Sequence, residues 1–130
     1  MNDINARAAA APVPTYSHAI EVPANHRLLV VSGQLGTDEN GQIPADCEAQ
    51  TRLCLASIDR LLNEAGMSRK NVVRLNAYVT KREDMVGYAA ARNEWVSELE
   101  VVPGSTLLVV SGFVKPEFLV EVEALAAQKV

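Results

Sequence analysis

Apolar and polar positions alternate in three distinct ways along the chain, and each predicts a different element. From Tyr16 to Val22 the pattern fits a strand, and Pro23-Ala24-Asn25 supplies a turn. Arg27–Ser32 reads as a second strand in which Leu28, Leu29, Val30 and Val31 follow one another without a polar break. A continuous apolar run of this length predicts burial on both faces, hence a central strand. Asp38-Glu39-Asn40-Gly41-Gln42 predicts a turn, with Asn40-Gly41 suited to positive φ. Next, Cys54, Ile58, Leu61, Leu62 and Ala65 recur on one helical face. Asp46 is placed to cap that helix and Gly66 to end it. From Val73 to Thr80 the period changes to two: Val73, Leu75, Ala77 and Val79 alternate with Arg74, Asn76, Tyr78 and Thr80, a strand with one buried face. Asp84–Glu98 is a second amphipathic helix with Met85, Tyr88, Ala89, Arg92, Trp95, Val96 and Leu99 on its stripe. Arg92 is anomalous there, and its methylene stem is expected to snorkel.

The C-terminal third carries two apolar arms, 103–112 and 118–125, separated by turn residues between Gly112 and Pro116. They predict a β-hairpin. On the second arm Phe118, Val120, Val122 and Ala124 face one way, and Leu119, Glu121, Glu123 and Leu125 the other. Two carboxylates within an apolar strand cost desolvation energy unless their face is wet or they find donors. They are therefore either a solvated face or a functional one. The hexapeptide Leu-Leu-Val-Val-Ser-Gly occurs twice, at 28–33 and 107–112, with unrelated flanks. Ser32 and Ser111 thus fall where strands end, a common place for site residues.

The element order is two or three strands, helix, strand, helix, two strands. Right-handed crossovers then place both helices on one face of a mixed sheet, an α+β sandwich of two layers. The opposite face needs a cover, and packing against sister subunits in a closed homo-oligomer is the usual solution.

Length, charge and cysteine usage narrow the functional classes. The 130 residues form one domain, 1–130, with 1–14 a loose N-terminal arm holding Pro12 and Pro14. Apolar residues make up 48% and charged residues 22%, ordinary for a globular chain, and no run approaches a membrane span. The arm lacks a basic start followed by an apolar core, so a cytoplasmic protein without a signal peptide is expected. Net charge is −4 and the basic residues are dispersed, which argues against a nucleic-acid partner. Cys47 and Cys54 stand about 10.5 Å apart along one helix, beyond disulfide reach, and read as buried thiols. His18 and His26 lack metal-ligand spacing, so no metal is expected.

Five segments together resemble the Rid (YjgF-type) family of reactive-intermediate deaminases: Tyr16-Ser17-His18-Ala19, Val31-Ser32-Gly33-Gln34-Leu35-Gly36, Ala49-Gln50-Thr51-Arg52, Glu64-Ala65-Gly66 and Val120-Glu121-Val122-Glu123-Ala124. The resemblance spans about residues 14 to 127. It implies a chorismate-mutase-like fold and a homotrimer with a ligand cleft between neighbouring subunits. For the deaminating members it implies hydrolysis of enamines and imines such as 2-aminoacrylate, without metal or organic cofactor.

Residue by residue, the resemblance carries over in part. Tyr16, Ser32, Gln34 and Glu121 match, with Glu121 in the general acid/base role that positions or activates water. The arginine that grips the substrate carboxylate in those members, two residues after the proline that opens the penultimate strand, is Ser105 here. The cysteine found two residues further on in many members is Leu107, and a helix-borne asparagine aligns with Ala89. A serine hydroxyl contributes a neutral hydrogen bond of about 0.5–1.5 kcal/mol against roughly 1.5–3 for a charged one. A small 2-imino acid therefore binds poorly unless Arg27, Arg74 or Arg92 supplies the charge from another direction.

Three readings follow. The first is a small-molecule hydrolase or deaminase with Glu121 catalytic and Tyr16, Ser32, Gln34, Ser105 and Leu107 lining the ligand, acting on something other than standard 2-imino acids. The second is a non-catalytic trimer that binds a metabolite or a partner in the same cleft. A ribonuclease, an old label in the family, is the weakest, because the chain is acidic and lacks a basic groove.

Overall fold

The computed structural model describes residues 1–3 and 15–130. Most of the predicted N-terminal arm therefore lies outside the described residues. Its first residues, Asn2–Asp3 (β1), pair antiparallel with Ile20–Glu21 (β2). The main sheet comprises His26–Leu35 (β3), Val72–Val79 (β4), Gly104–Val109 (β5) and Val120–Lys129 (β6), in the order β3-β6-β4-β5. β6 is antiparallel to both neighbours, and β5 is parallel to β4. Two helices, Cys47–Glu64 (α1) and Met85–Val96 (α2), cover one face. The expected α+β two-layer sandwich is the observed architecture.

α1 follows its sequence signals closely. Asp46 is extended at φ −107°, ψ 151°, and its Oδ2 accepts from Ala49 N at 3.1 Å. At the other end Gly66 takes φ +71°. Gly66 N donates to Asn63 O at 3.0 Å and Met67 N to Leu62 O at 2.8 Å, the paired bonds of a Schellman stop. Cys54, Ile58 and Leu62 are buried as predicted, whereas Leu61 is partly exposed at the helix edge. β4 buries Val73, Leu75, Ala77 and Val79 and turns Arg74, Asn76 and Tyr78 outward, as its alternation predicts. α2 is shorter than predicted. A 3₁₀ turn, Arg82–Asp84, precedes it, and Ala91 joins Tyr88, Trp95 and Val96 in the core.

Three expectations need correction. The two C-terminal arms do not form a hairpin, because β4 lies between β5 and β6. The ten residues 110–119 carry the chain past the end of β4, where Val110 N donates to Val79 O and Thr80 N to Leu119 O. β6 has a ladder on each side, with β3 and with β4. Next, β3 is an edge strand, not a central one. Leu29 and Val31 face the helices, while Leu28 and Val30 on the open face are 60% and 77% exposed. Composition alone does not tell an open apolar face from one covered by the chain's own helices. Finally, the 16–22 stretch is not one strand. Ser17 bridges Gly104 in parallel, with Ser17 N on Pro103 O and Ser17 Oγ on Val102 O, and regular pairing begins only at Ile20.

One polar side chain ties the layers together. Gln50, fully buried in α1, donates Nε2 to Pro44 O at 2.7 Å and Glu117 O at 2.9 Å and accepts from Leu119 N at 2.9 Å. Gly36 lets the end of β3 reach this turn. A Cβ there would lie 2.6 Å from the Gln50 Cβ and 2.7 Å from its Cα. Both cysteines are buried and unpaired. Burial pushes the Cys54 thiol up to about 12 and raises that of Cys47 as well.

Gln50→Ala strips three backbone groups of their partner and is expected to destabilise the chain by about 2–4 kcal/mol, measured by urea unfolding. Because both thiols titrate above their usual range, neither is thiolate at pH 8. We expect a disulfide reagent to leave both unmodified in the native protein at that pH and to label both after denaturation, with native labelling rising only in alkali.

Candidate functional site

The two carboxylates of β6 point to the same open face but have different surroundings. Glu123 is fully engaged: its Oε1 accepts from Tyr78 OH at 2.7 Å and Asn76 Nδ2 at 3.1 Å. Arg74 extends the network, giving Nε to Asn76 Oδ1 and Nη2 to Thr106 Oγ1. The bond to Glu123 raises the Tyr78 phenol above its ordinary value. This network braces β4 against β6 and β5. Glu123 is accounted for by structure.

Glu121 is not. It sits opposite Leu35 on β3 and Tyr78 on β4, and among the described residues no side chain or backbone group hydrogen-bonds to its carboxylate. That carboxylate lies over Gly33. A Cβ on Gly33 would fall 1.8 Å from Oε1 and 2.6 Å from Cδ. The sheet register shifts between Val31 and Gln34, so Ser32 and Gly33 form an irregularity in β3 beside the carboxylate. Gly33 is legible in the sequence only as a glycine near a strand end, although a glycine within a strand often marks close approach.

The other predicted residues divide by place. Ser32 is exposed, and its carbonyl accepts the Gln34 amide at 2.9 Å. Gln34 stands in register with Val122, in a shallow surface cleft with Leu61, Glu64 and Ala65. Tyr16 and Ser105 come together in a second cleft of about 340 Å³ at the start of β5, with His18, Arg74, Thr106 and Leu125. Tyr16 and His18 meet edge to face with centroids 5.5 Å apart. Leu107 pairs with Ala77 and packs against the core.

Glu121 and Ser105 are thus separate within one chain. Ser105 lies opposite Leu75 and Glu121 opposite Tyr78, with β4 between their strands. Three residues of rise and two strand spacings separate their backbones by roughly 14 Å, and their side chains leave opposite faces of the sheet.

The sequence marks Arg92 only as an anomaly in an apolar stripe. Its guanidinium lies over the Tyr88 ring at 5.6 Å, and Nη1 donates to Ser105 Oγ at 3.0 Å while Nε donates to Asn93 Oδ1 at 2.8 Å. The other two arginines that could supply a charge are already engaged. Arg27 bonds Ala65 O and Gln128, and Arg74, although it lines the Tyr16–Ser105 cleft, gives its N–H groups to Asn76 and Thr106. A larger groove, about 460 Å³, runs between the outer sides of α1 and α2. Its charges answer one another, Arg52 with Glu94 and Arg69 with Asp59, and none of the predicted site residues line it. Among the described residues no helix is long and apolar enough to cross a membrane, and no three His, Cys, Asp or Glu side chains are grouped to hold a metal ion.

The fold and the sequence both have known relatives. A RutC family protein of Aquifex aeolicus is 35% identical over 81 residues, 62% of each chain. The 3-aminoacrylate deaminase RutC of Acinetobacter baylyi is 31% identical over 109 residues, 81% of this chain and 84% of that one. The crystal structure of YyfB of Yersinia pestis, described as a protein of unknown function of the conserved Rid family, superposes with a TM-score of 0.86 at 29% identity, covering 98% of both chains. The model of the family described as Endoribonuclease L-PSP matches residues 6–128. With nearly its whole length accounted for in this way and its chorismate-mutase-like sandwich shared, the chain belongs to that family, the Rid or YjgF family.

Proposed function

We propose that this chain is a cofactor-independent hydrolase of an enamine, imine or related compound, working as a homotrimer with Glu121 as its acid/base group. The observation that carries the reading is the contrast between the two carboxylates of β6. Glu123 is bonded twice, whereas Glu121 is held over Gly33 with its lone pairs free. A carboxylate kept beside a strand irregularity without a donor is suited to move a proton. The name 3-aminoacrylate deaminase, borne by the Acinetobacter relative, supports the same class.

In this reading an enamine takes a proton from water at carbon to give the iminium ion. Glu121 takes a proton from a second water as that water's oxygen bonds to the iminium carbon, giving the carbinolamine. The carboxyl then returns this proton to nitrogen, and the carboxylate takes the hydroxyl proton as the C–N bond breaks, so that ammonia leaves with the carbonyl product behind. Two chains are needed to bring Glu121 to the Tyr16–Ser105 cleft, given the roughly 14 Å between them in one chain. The exposed Leu28, Val30, Leu108 and Val109 on the two edge strands favour burial between copies. Ser32 and Gln34 of β3 and Ser105 and Leu107 of β5 would line the shared cleft, in the cytoplasm.

A second reading, a trimer that binds a metabolite or partner without turnover, is favoured by one observation: serine and leucine occupy positions 105 and 107, where the resemblance implies arginine and cysteine.

Sedimentation equilibrium is expected to give three times the 14.0 kDa chain mass. A monomer at micromolar concentration would sink the shared cleft. Ammonia release should be slow from enzymatically generated 2-iminopropanoate and faster from some member of a panel of larger enamines, and Glu121→Gln should abolish it. An unchanged rate in that variant refutes the catalytic reading. Turnover of no panel member leaves the binding reading in its place. Gly33→Ala is expected to keep stability within about 1 kcal/mol while displacing the carboxylate. Its rate should fall toward that of Glu121→Gln, and the double variant should be no worse than the single ones.

A further inference from the structure

Arg92 is the one described arginine that is not exposed. It is also without a carboxylate. Arg52 and Arg69 are ion-paired, but the bonds of Arg92 go to the neutral oxygens of Asn93 and Ser105. Taking a guanidinium partly out of water without a counter-charge is unfavourable, and stacking on Tyr88 offsets only part of that. Two of its five N–H groups are used, and the rest remain open.

Its neighbours are donors as well. Ser105 accepts from Arg92, so its own hydroxyl proton is left to give. The Tyr88 hydroxyl is fully buried and lacks a hydrogen-bond partner. Ser105 stands close enough to influence its titration without meeting hydrogen-bond geometry. A guanidinium and two hydroxyls therefore converge where α2 meets β5, and Ser105 alone of the three also lines the cleft that holds Tyr16. A guanidinium with unused N–H groups beside two hydroxyls bonds an anion more strongly than a neutral acceptor.

We infer that Arg92, carried by α2, is the specificity-determining residue that takes the anionic group of the ligand, a carboxylate, with Ser105 and Tyr88 as supporting donors. The positive charge that position 105 lacks on the strand arrives from the helix one layer above. This rests on reading the Ser105 end of the cleft as the ligand site, but not on whether the ligand is turned over. The small size of the serine suits this arrangement, because a longer side chain at 105 would occupy the space in which Arg92 Nη1 meets the strand.

The test uses butanoate and its neutral isostere butanamide as probes, titrated into the intact protein and followed by NMR, including the ¹⁵N signal of the Arg92 side chain. Butanoate is expected to bind saturably, to shift that signal, and to bind at least about tenfold more tightly than butanamide. Arg92→Gln should lose this preference, Arg92→Lys should retain part of it, and Tyr88→Phe should weaken butanoate a few-fold. Arg92→Gln combined with Ser105→Arg returns a guanidinium to the strand and should recover the preference, which a merely structural role for Arg92 would not allow. Neither probe is an enamine or imine, so the preference for acid over amide is read without turnover, and failure of the catalytic reading and failure of this one are separable. Equal binding of acid and amide, no butanoate binding by the parent protein, or an Arg92→Gln variant that folds and still prefers butanoate would each overturn the assignment.

Discussion

The two-sided pairing of β6 is the constraint on which the rest of this structure depends. Its backbone is used up by β3 on one side and β4 on the other. Its side chains are divided just as strictly. Val120, Val122, Ala124 and Ala126 are buried beneath the helices, and Glu121, Glu123 and Leu125 stand on the open face. The small alanines let α1 approach closely, and the glutamates find themselves in the middle of a sheet. A strand in that position cannot fray, so whatever it carries on its open face is held in a fixed place relative to both neighbours.

That division also explains how the candidate site is laid out. Glu121 belongs to the open face and Ser105 to the face beneath the helices, and neither can cross the sheet. A chain of this fold therefore presents half of the proposed cleft on each side of itself. The apolar residues left on the two edge strands would be covered in the proposed trimer, and their positions on opposite edges suit a ring. The repeated Leu-Leu-Val-Val-Ser-Gly now has a physical meaning: one copy begins in β3 and the other in β5, the two edges of the same sheet.

Much of this is legible in the sequence where the cause is local. The cap at Asp46, the stop at Gly66 and the alternation of β4 each depend on a few adjacent residues, and each forms as its residues predict. The pairing of β5 is not legible, because a hairpin signal reports only that two arms and a turn are present. Which strand comes between them depends on contacts far apart in the chain. The apolar run of β3 misleads for a related reason: an apolar residue on the open face of a strand looks the same in sequence as one buried beneath the helices. Of the candidate site residues, Glu121 is singled out by a carboxylate in an apolar strand, but its distinction from Glu123 depends on Asn76 and Tyr78 one strand away. Arg92 is visible as an oddity. Its reason lies in Ser105, thirteen positions later.

The Gln50 amide has an implication for how accurately Glu121 is placed. Leu119, whose N–H it captures, leads into β6 only two residues before that glutamate. A slip of one position at this point would turn every side chain of the strand to the other face, exchanging a carboxylate for a valine. A helix residue on the far side of the sheet thus acts as an index pin for the strand, fixing its register two residues before the carboxylate.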